Sequence, residues 1–175
     1  QIFGLSPSLH FTLEISLPLN QYAWLLVLGV VTGLLGVFYN KMTIASLKLY
    51  DRIPVLKSYQ KIIIPLFVSG VLGLWLPQVI GGGHVLVNYL NSEQLVLSTL
   101  VVLLIVKFVF SLLSFGSGAP GGIFFPLLIL GSLIGAIFGQ IAMIFGIADV
   151  YFVNFVIFAM AGFFAGIVRA PITGI

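Results

Sequence analysis

The sequence predicts an all-α protein that crosses a membrane several times. Three observations carry this. The 175 residues are 61% hydrophobic and only 6% charged, against about 25% charged in soluble domains. The apolar residues gather into runs long enough to span a bilayer as helices. The acidic residues Glu14, Asp51, Glu93 and Asp149 all fall between those runs.

Gln1–Asn20 is amphipathic and broken by Pro7 and Pro18, which predicts an extramembrane or interfacial connection. Gln21 to Tyr50 reads as the first long helix, with Tyr22–Tyr39 as its apolar part. Tyr22 and Trp24 would mark one interface, Tyr39 and Tyr50 the other. Lys41, Lys48, Arg52, Lys57 and Lys61 hold most of the 7 cationic side chains. The positive-inside rule places the Lys41–Lys61 loop in the cytoplasm and Gln1–Asn20 on the far side. That clustering is a topology signal, not a nucleic-acid footprint.

Ile62–Trp75 is a short span stopped by Pro77. Gln78–Ser92 contains Gly81-Gly82-Gly83-His84 and is too polar to span; it predicts a loop with a short re-entrant helix. Gln94–Phe115 is the next span, with Lys107 inside it. After a break comes Ile123–Phe145, then a turn at Gly146–Val150 and the span Tyr151–Val168. Arg169-Ala170-Pro171 interrupts as another apolar segment begins. Residues 21–175 thus read as about five spans, a re-entrant segment and the start of another helix. The whole chain is expected to be an internal piece of one larger membrane domain. The absence of cysteine excludes disulfides. His10 and His84 have no Cys or acidic residue at ligand spacing, so no metal site is predicted.

Glycines recur four apart at Gly131, Gly135 and Gly139, at Gly29 and Gly33, and at Gly162 and Gly166. Each set makes a smooth stripe on a helix that lets a neighbouring backbone approach. Packing within one subunit is the expected use; a dimer contact is the alternative.

The break, Gly116-Ser117-Gly118-Ala119-Pro120-Gly121-Gly122-Ile123-Phe124-Phe125-Pro126, is the most informative stretch. Irregular backbone at membrane depth survives only where it is packed in protein or lines a polar path. A helix starting near Ile123 leaves its first amides without internal partners, at the positive end of the helix dipole. Gly121 and Gly122 remove side chains that would cover them, and Pro126 suits a first turn. Such an end can hold an anion loosely enough to release it. An ordinary turn between spans is the competing reading.

Lys107 is costly inside an apolar run, so it either raises the local potential for anions, pairs with an acid, or snorkels to an interface. Arg169, beside Pro171, could favour anions or cap helix-end carbonyls.

The break resembles the glycine-x-phenylalanine-x-proline signature of CLC chloride channels and proton/chloride antiporters. Arg169-Ala170-Pro171-Ile172-Thr173-Gly174-Ile175 resembles a second element of that family, and Gly81-Gly82-Gly83 sits where the family has a glycine-rich loop. The resemblance covers nearly the whole chain, most weakly Gln1–Asn20. It implies a partial CLC-type domain with broken, tilted helices, belonging to the second half of an inverted repeat. It also implies that the main-chain amides of Ile123 and Phe124, with Gly122 beside them, coordinate a dehydrated chloride. Gly116, Ser117, Gly118, Pro120, Gly121, Phe125 and Pro126 would form the supporting loop. Ser117 is matched to the approach to this motif and not to the family's chloride-binding serine. That serine, the gating glutamate and the tyrosine are expected outside these residues. Chloride is the implied substrate, with no cofactor, protons as a possible second ion, and a homodimer in a plasma membrane as the setting.

Three alternatives remain at this stage. One is a fluoride/proton antiporter of the same family. The second is an intramembrane hydrolase using Ser117, which would need a base nearby. The third is a cation or metabolite transporter, disfavoured by the scarcity of intramembrane carboxylates.

Overall fold

A computed structural model describes residues 21–52, 60–77, 96–119 and 121–168. Their helices are α1 (Tyr22–Asp51), α2 (Ile63–Trp75), α3 (Leu97–Gly116), α4 (Phe124–Ile144) and α5 (Phe152–Val168). A 3-10 turn, Asp149–Tyr151, leads into α5. Among the described residues, four stretches are long and apolar enough to cross a membrane: α1, α3, α4 and Asp149–Val168. At 13 residues, α2 falls short of the roughly 20 a straight span needs, so the span expected at Ile62–Trp75 is a shorter apolar helix. Gln1–Asn20, the Gly81–His84 loop, Pro120 and Arg169 lie outside the described residues.

The side-chain contacts fix helix directions. Tyr39 meets Phe108 edge-on, and Ser46 Oγ donates to the Leu112 carbonyl at 2.7 Å. So α1 and α3 run the same way. The Asn40 amide donates to the Ile167 carbonyl at 3.4 Å, which brings the middle of α1 to the end of α5. Helix α4 runs back between them and forms the centre. Every residue from Ile129 to Ala136 is buried, as are Leu127, Gly139 and Ala142. By contrast, Leu26, Val30, Leu34 and Val37 form an exposed apolar stripe on α1, as a helix facing lipid would show.

Lipid tails are as apolar as leucine, so these helices gain little from simple hydrophobicity; close packing of small residues drives the association. The α4–α5 seam shows it. A Cβ on Gly131 would stand 2.7 Å from Met160 Cα, one on Gly135 2.6 Å from Val156 Cα, and one on Gly139 2.8 Å from the Phe152 ring. The stripe therefore serves packing inside the chain. Gly162 does the same toward α1, where its Cβ would lie 2.9 Å from Thr32 Oγ1. Thr32 itself donates to the Leu28 carbonyl at 2.9 Å, and buried Ser132 donates to Ile129 at 2.8 Å. Both hydroxyls are thus satisfied within their own helices.

Tyr39 and Tyr50 depart from the interface role expected of them. Tyr39 is buried between Phe108 and Phe163, and Tyr50 is buried against Gly116. Helix α1 continues alongside α3 past Tyr39, so protein covers both rings.

Candidate anion-binding site

Helix α3 ends by a defined route. The Ser117 amide donates to the Leu113 carbonyl at 3.2 Å, and the Gly118 amide to Phe115 at 3.1 Å. Gly118 has φ of 74°, the left-handed conformation that glycine accepts without strain and that commonly stops a helix. The Ser117 hydroxyl donates to the Ser114 carbonyl at 2.7 Å and accepts from the Ala119 amide at 3.3 Å. Ser117 therefore caps the helix and shapes the turn. Its hydroxyl proton is engaged, which weighs against a nucleophile. Gly116 lies directly under α1: a Cβ there would collide with Ser46 Oγ and come within 2.8 Å of the Tyr50 ring. Gly116→Ala is expected to displace this end of α3 and cost about 1–3 kcal/mol of stability. Thermal melts of the full-length protein check this; an unchanged melt would show that α1 does not clamp the break.

Beyond the break, Ile123 is the N-cap of α4, with φ −81° and ψ −23°, and no side chain caps the helix. Its carbonyl accepts from the Leu127 amide at 3.2 Å, the first bond of the ladder. The amides of Ile123, Phe124 and Phe125 precede that bond, and Pro126 has none to offer. Gly121 and Gly122 are exposed, and a Cβ on either would meet nothing within 4 Å. Neither glycine therefore carries a side chain over the turn that leads to these amides. The Phe124 ring stands edge-on to Phe125 at 5.4 Å and to Phe164 at 5.1 Å. The second contact ties the start of α4 to the end of α5.

The break also closes one side of a cavity of about 210 Å³, lined by Lys107, Ser111, Ser114, Gly121, Gly122 and Pro126 among others. Lys107 is 2% exposed, with its ammonium 6.0 Å from the Phe110 ring centre. It has not snorkelled to an interface. The structure thus brings Lys107 to the glycine pair, which the sequence left on separate segments. Ser111 and Ser114 join it, and sequence reasoning passed over both. Their signal was helical spacing: one and two turns beyond Lys107, on the same face. Arg169, the other electrostatic candidate, lies outside the described residues.

Fold and site together define a polytopic membrane protein in which a glycine-rich break turns one long helix into the amide-bearing start of the next. The chain belongs to the voltage-gated chloride channel family, whose sequence pattern it matches over residues 1–175. It is 40% identical over 163 residues to the H(+)/Cl(−) exchange transporter ClcA of Vibrio parahaemolyticus, covering 90% of this chain and 35% of that protein. It is 35% identical over 162 residues to the ClcA exchange transporter of Klebsiella pneumoniae, covering 90% of this chain and 34% of that protein. Its fold matches the crystal structure of a slow cyanobacterial Cl−/H+ antiporter with a TM-score of 0.89 at 28% identity, over 99% of this chain and 41% of that one. The chain therefore spans about a third of the length of the curated relatives, 35% and 34% in these two cases.

Proposed function

We propose that this chain supplies a helix-end anion site of a CLC-type membrane transporter that moves chloride. The observation that carries it is the start of α4: three successive residues, Ile123, Phe124 and Phe125, have amides ahead of the first ladder bond, reached past two glycines. The Ile123 and Phe124 amides, with Gly122 beside them, take over part of the halide's water shell. Amide dipoles bind an anion without the trapping that a directly ligating, buried arginine would impose. Lys107 raises the potential on the same side of the break. Its field is weakly screened because the side chain is almost wholly buried.

The names of the relatives support chloride exchanged for protons over fluoride export and over hydrolysis by Ser117. Asp51 and Asp149, the carboxylates among the described residues, stand at helix ends, so the proton route runs through groups outside those residues. We place the Lys41–Lys61 segment, expected as a loop but with Lys41 and Lys48 on α1, in the cytoplasm, and the protein in the plasma membrane. Its oligomer is a homodimer with a pathway in each subunit.

Radiolabelled chloride uptake into liposomes carrying the full-length protein tests this reading. Uptake should be matched by proton movement in the opposite direction. Flux that ignores the identity of the halide, or no chloride flux, would contradict it.

A further inference from the structure

We infer that the apolar groove between α1 and α3 holds an acyl chain of an anionic membrane phospholipid, whose headgroup is taken by Lys41 just beyond the end of that groove. This goes beyond the transport reading and does not depend on it.

Two parallel helices make the walls. Leu35 and Phe38 of α1 face Ile105 and Phe108 of α3, and Leu130 and Ile134 of α4 close the groove behind. The Phe38 and Phe108 rings stack with centres 5.6 Å apart, so the walls meet at this end, one helical turn before Lys41.

Shape and chemistry set the kind of occupant. The space is about 200 Å³, and every residue lining it is apolar. An apolar cavity of about 150 Å³ stays dry and takes up a molecule such as benzene, so the occupant here is hydrocarbon and not water. Leu130 and Ile134 are buried, but Phe38 and Ile105 are 45% and 56% exposed, so the groove opens sideways. Exposed Leu34 and Val37 flank the mouth on α1, and exposed Val101 and Val109 flank it on α3. A mouth framed by outward-facing apolar side chains opens onto lipid tails, which are as apolar as leucine.

The same face of α1 supplies the polar end. Its exposed apolar residues Val30, Leu34 and Val37 continue at helical spacing into Lys41, Ile44 and Lys48, which are exposed as well. Hydrocarbon contacts thus give way to ammonium groups along one strip, in the order in which a phospholipid's chains give way to its phosphate. The long lysine stem lies along apolar surface while the ammonium reaches the headgroups. Asp51 is the one acid on α1; it lies at the far end of the helix, 3.8 Å from Lys61. The cytoplasmic leaflet is the one rich in anionic lipid, and the clustered cations place this end of α1 there.

Native mass spectrometry of the full-length protein, equilibrated with equal amounts of phosphatidylglycerol and phosphatidylcholine, tests this. Wild type should retain phosphatidylglycerol in preference. Lys41→Gln should weaken that preference about fivefold, the effect of roughly one basic side chain at an anionic surface. Ile105→Trp fills the mouth and should lose the retained lipid with the melting temperature unchanged. Equal retention of the two lipids, or a preference that survives Lys41→Gln, overturns the headgroup assignment. Phosphatidylglycerol still held by Ile105→Trp overturns the chain in the groove. A cryo-EM map of the wild type in phosphatidylglycerol nanodiscs gives a second readout. Acyl density in the groove is expected there; a side chain from elsewhere in the full-length protein filling it overturns the proposal.

Discussion

Gly135→Val is expected to lower the melting temperature of the full-length protein in detergent sharply and to reduce the amount of folded material recovered. A single Cβ at this position would stand 2.6 Å from Val156 Cα and 2.7 Å from the Phe155 carbonyl oxygen. Both are backbone atoms, so no side-chain rotation relieves the overlap; α5 must move as a body. Overpacking of this kind costs about 1–3 kcal/mol in ordinary cores, and a branched side chain against backbone belongs at the upper end. The consequence reaches the site, because α5 also carries Phe164, whose ring braces Phe124. Chloride flux should fall further than the loss of folded protein explains. A variant with the wild-type melt and wild-type flux would show that the seam is looser than described.

The seam also shows what the sequence could convey. Gly131, Gly135 and Gly139 recur at helical spacing, and they do meet a neighbouring helix. Gly29 and Gly33 have the same spacing, yet a Cβ on either meets nothing within 4 Å among the described residues. Spacing tells which residues share a face; only the fold tells which face is covered. The helices themselves were legible because long apolar runs separated by polar breaks leave few alternatives at membrane depth. Their ends were legible to within a few residues, from Pro, Gly and charge.

The start of α4 was equally legible, since Gly-Gly before an apolar run with proline in its first turn is a local signal. The cavity was not. Lys107 stood out as a buried charge, but its neighbours Gly121 and Gly122 come from the next segment, and only the reversal at Gly118 brings them together. Ser111 and Ser114 were readable as its facemates on α3 but are ordinary residues with no signal of their own. Tyr39 misled for a related reason: a tyrosine near the end of an apolar run suits an interface, but here a neighbouring helix continues past it.

Replacing Phe124 by its α-hydroxy acid turns the Ile123–Phe124 peptide into an ester and deletes one amide proton while leaving every side chain in place. That proton precedes the first ladder bond, so the helix loses no internal hydrogen bond donor. The Ile123 carbonyl becomes a weaker acceptor for the Leu127 amide; an ester at Leu128 is the stricter control, since it weakens the next-door carbonyl and also deletes the ladder donor to Phe124, without removing an amide assigned to the ion. A hydrogen bond to a charged partner contributes about 1.5–3 kcal/mol. Chloride binding, measured by titration calorimetry on the full-length protein, should therefore weaken by roughly 10- to 100-fold with the ester at 124. It should be unchanged with the ester at 128. Equal chloride affinity in the wild type and the 124 ester would contradict the assignment of the Phe124 amide to the ion.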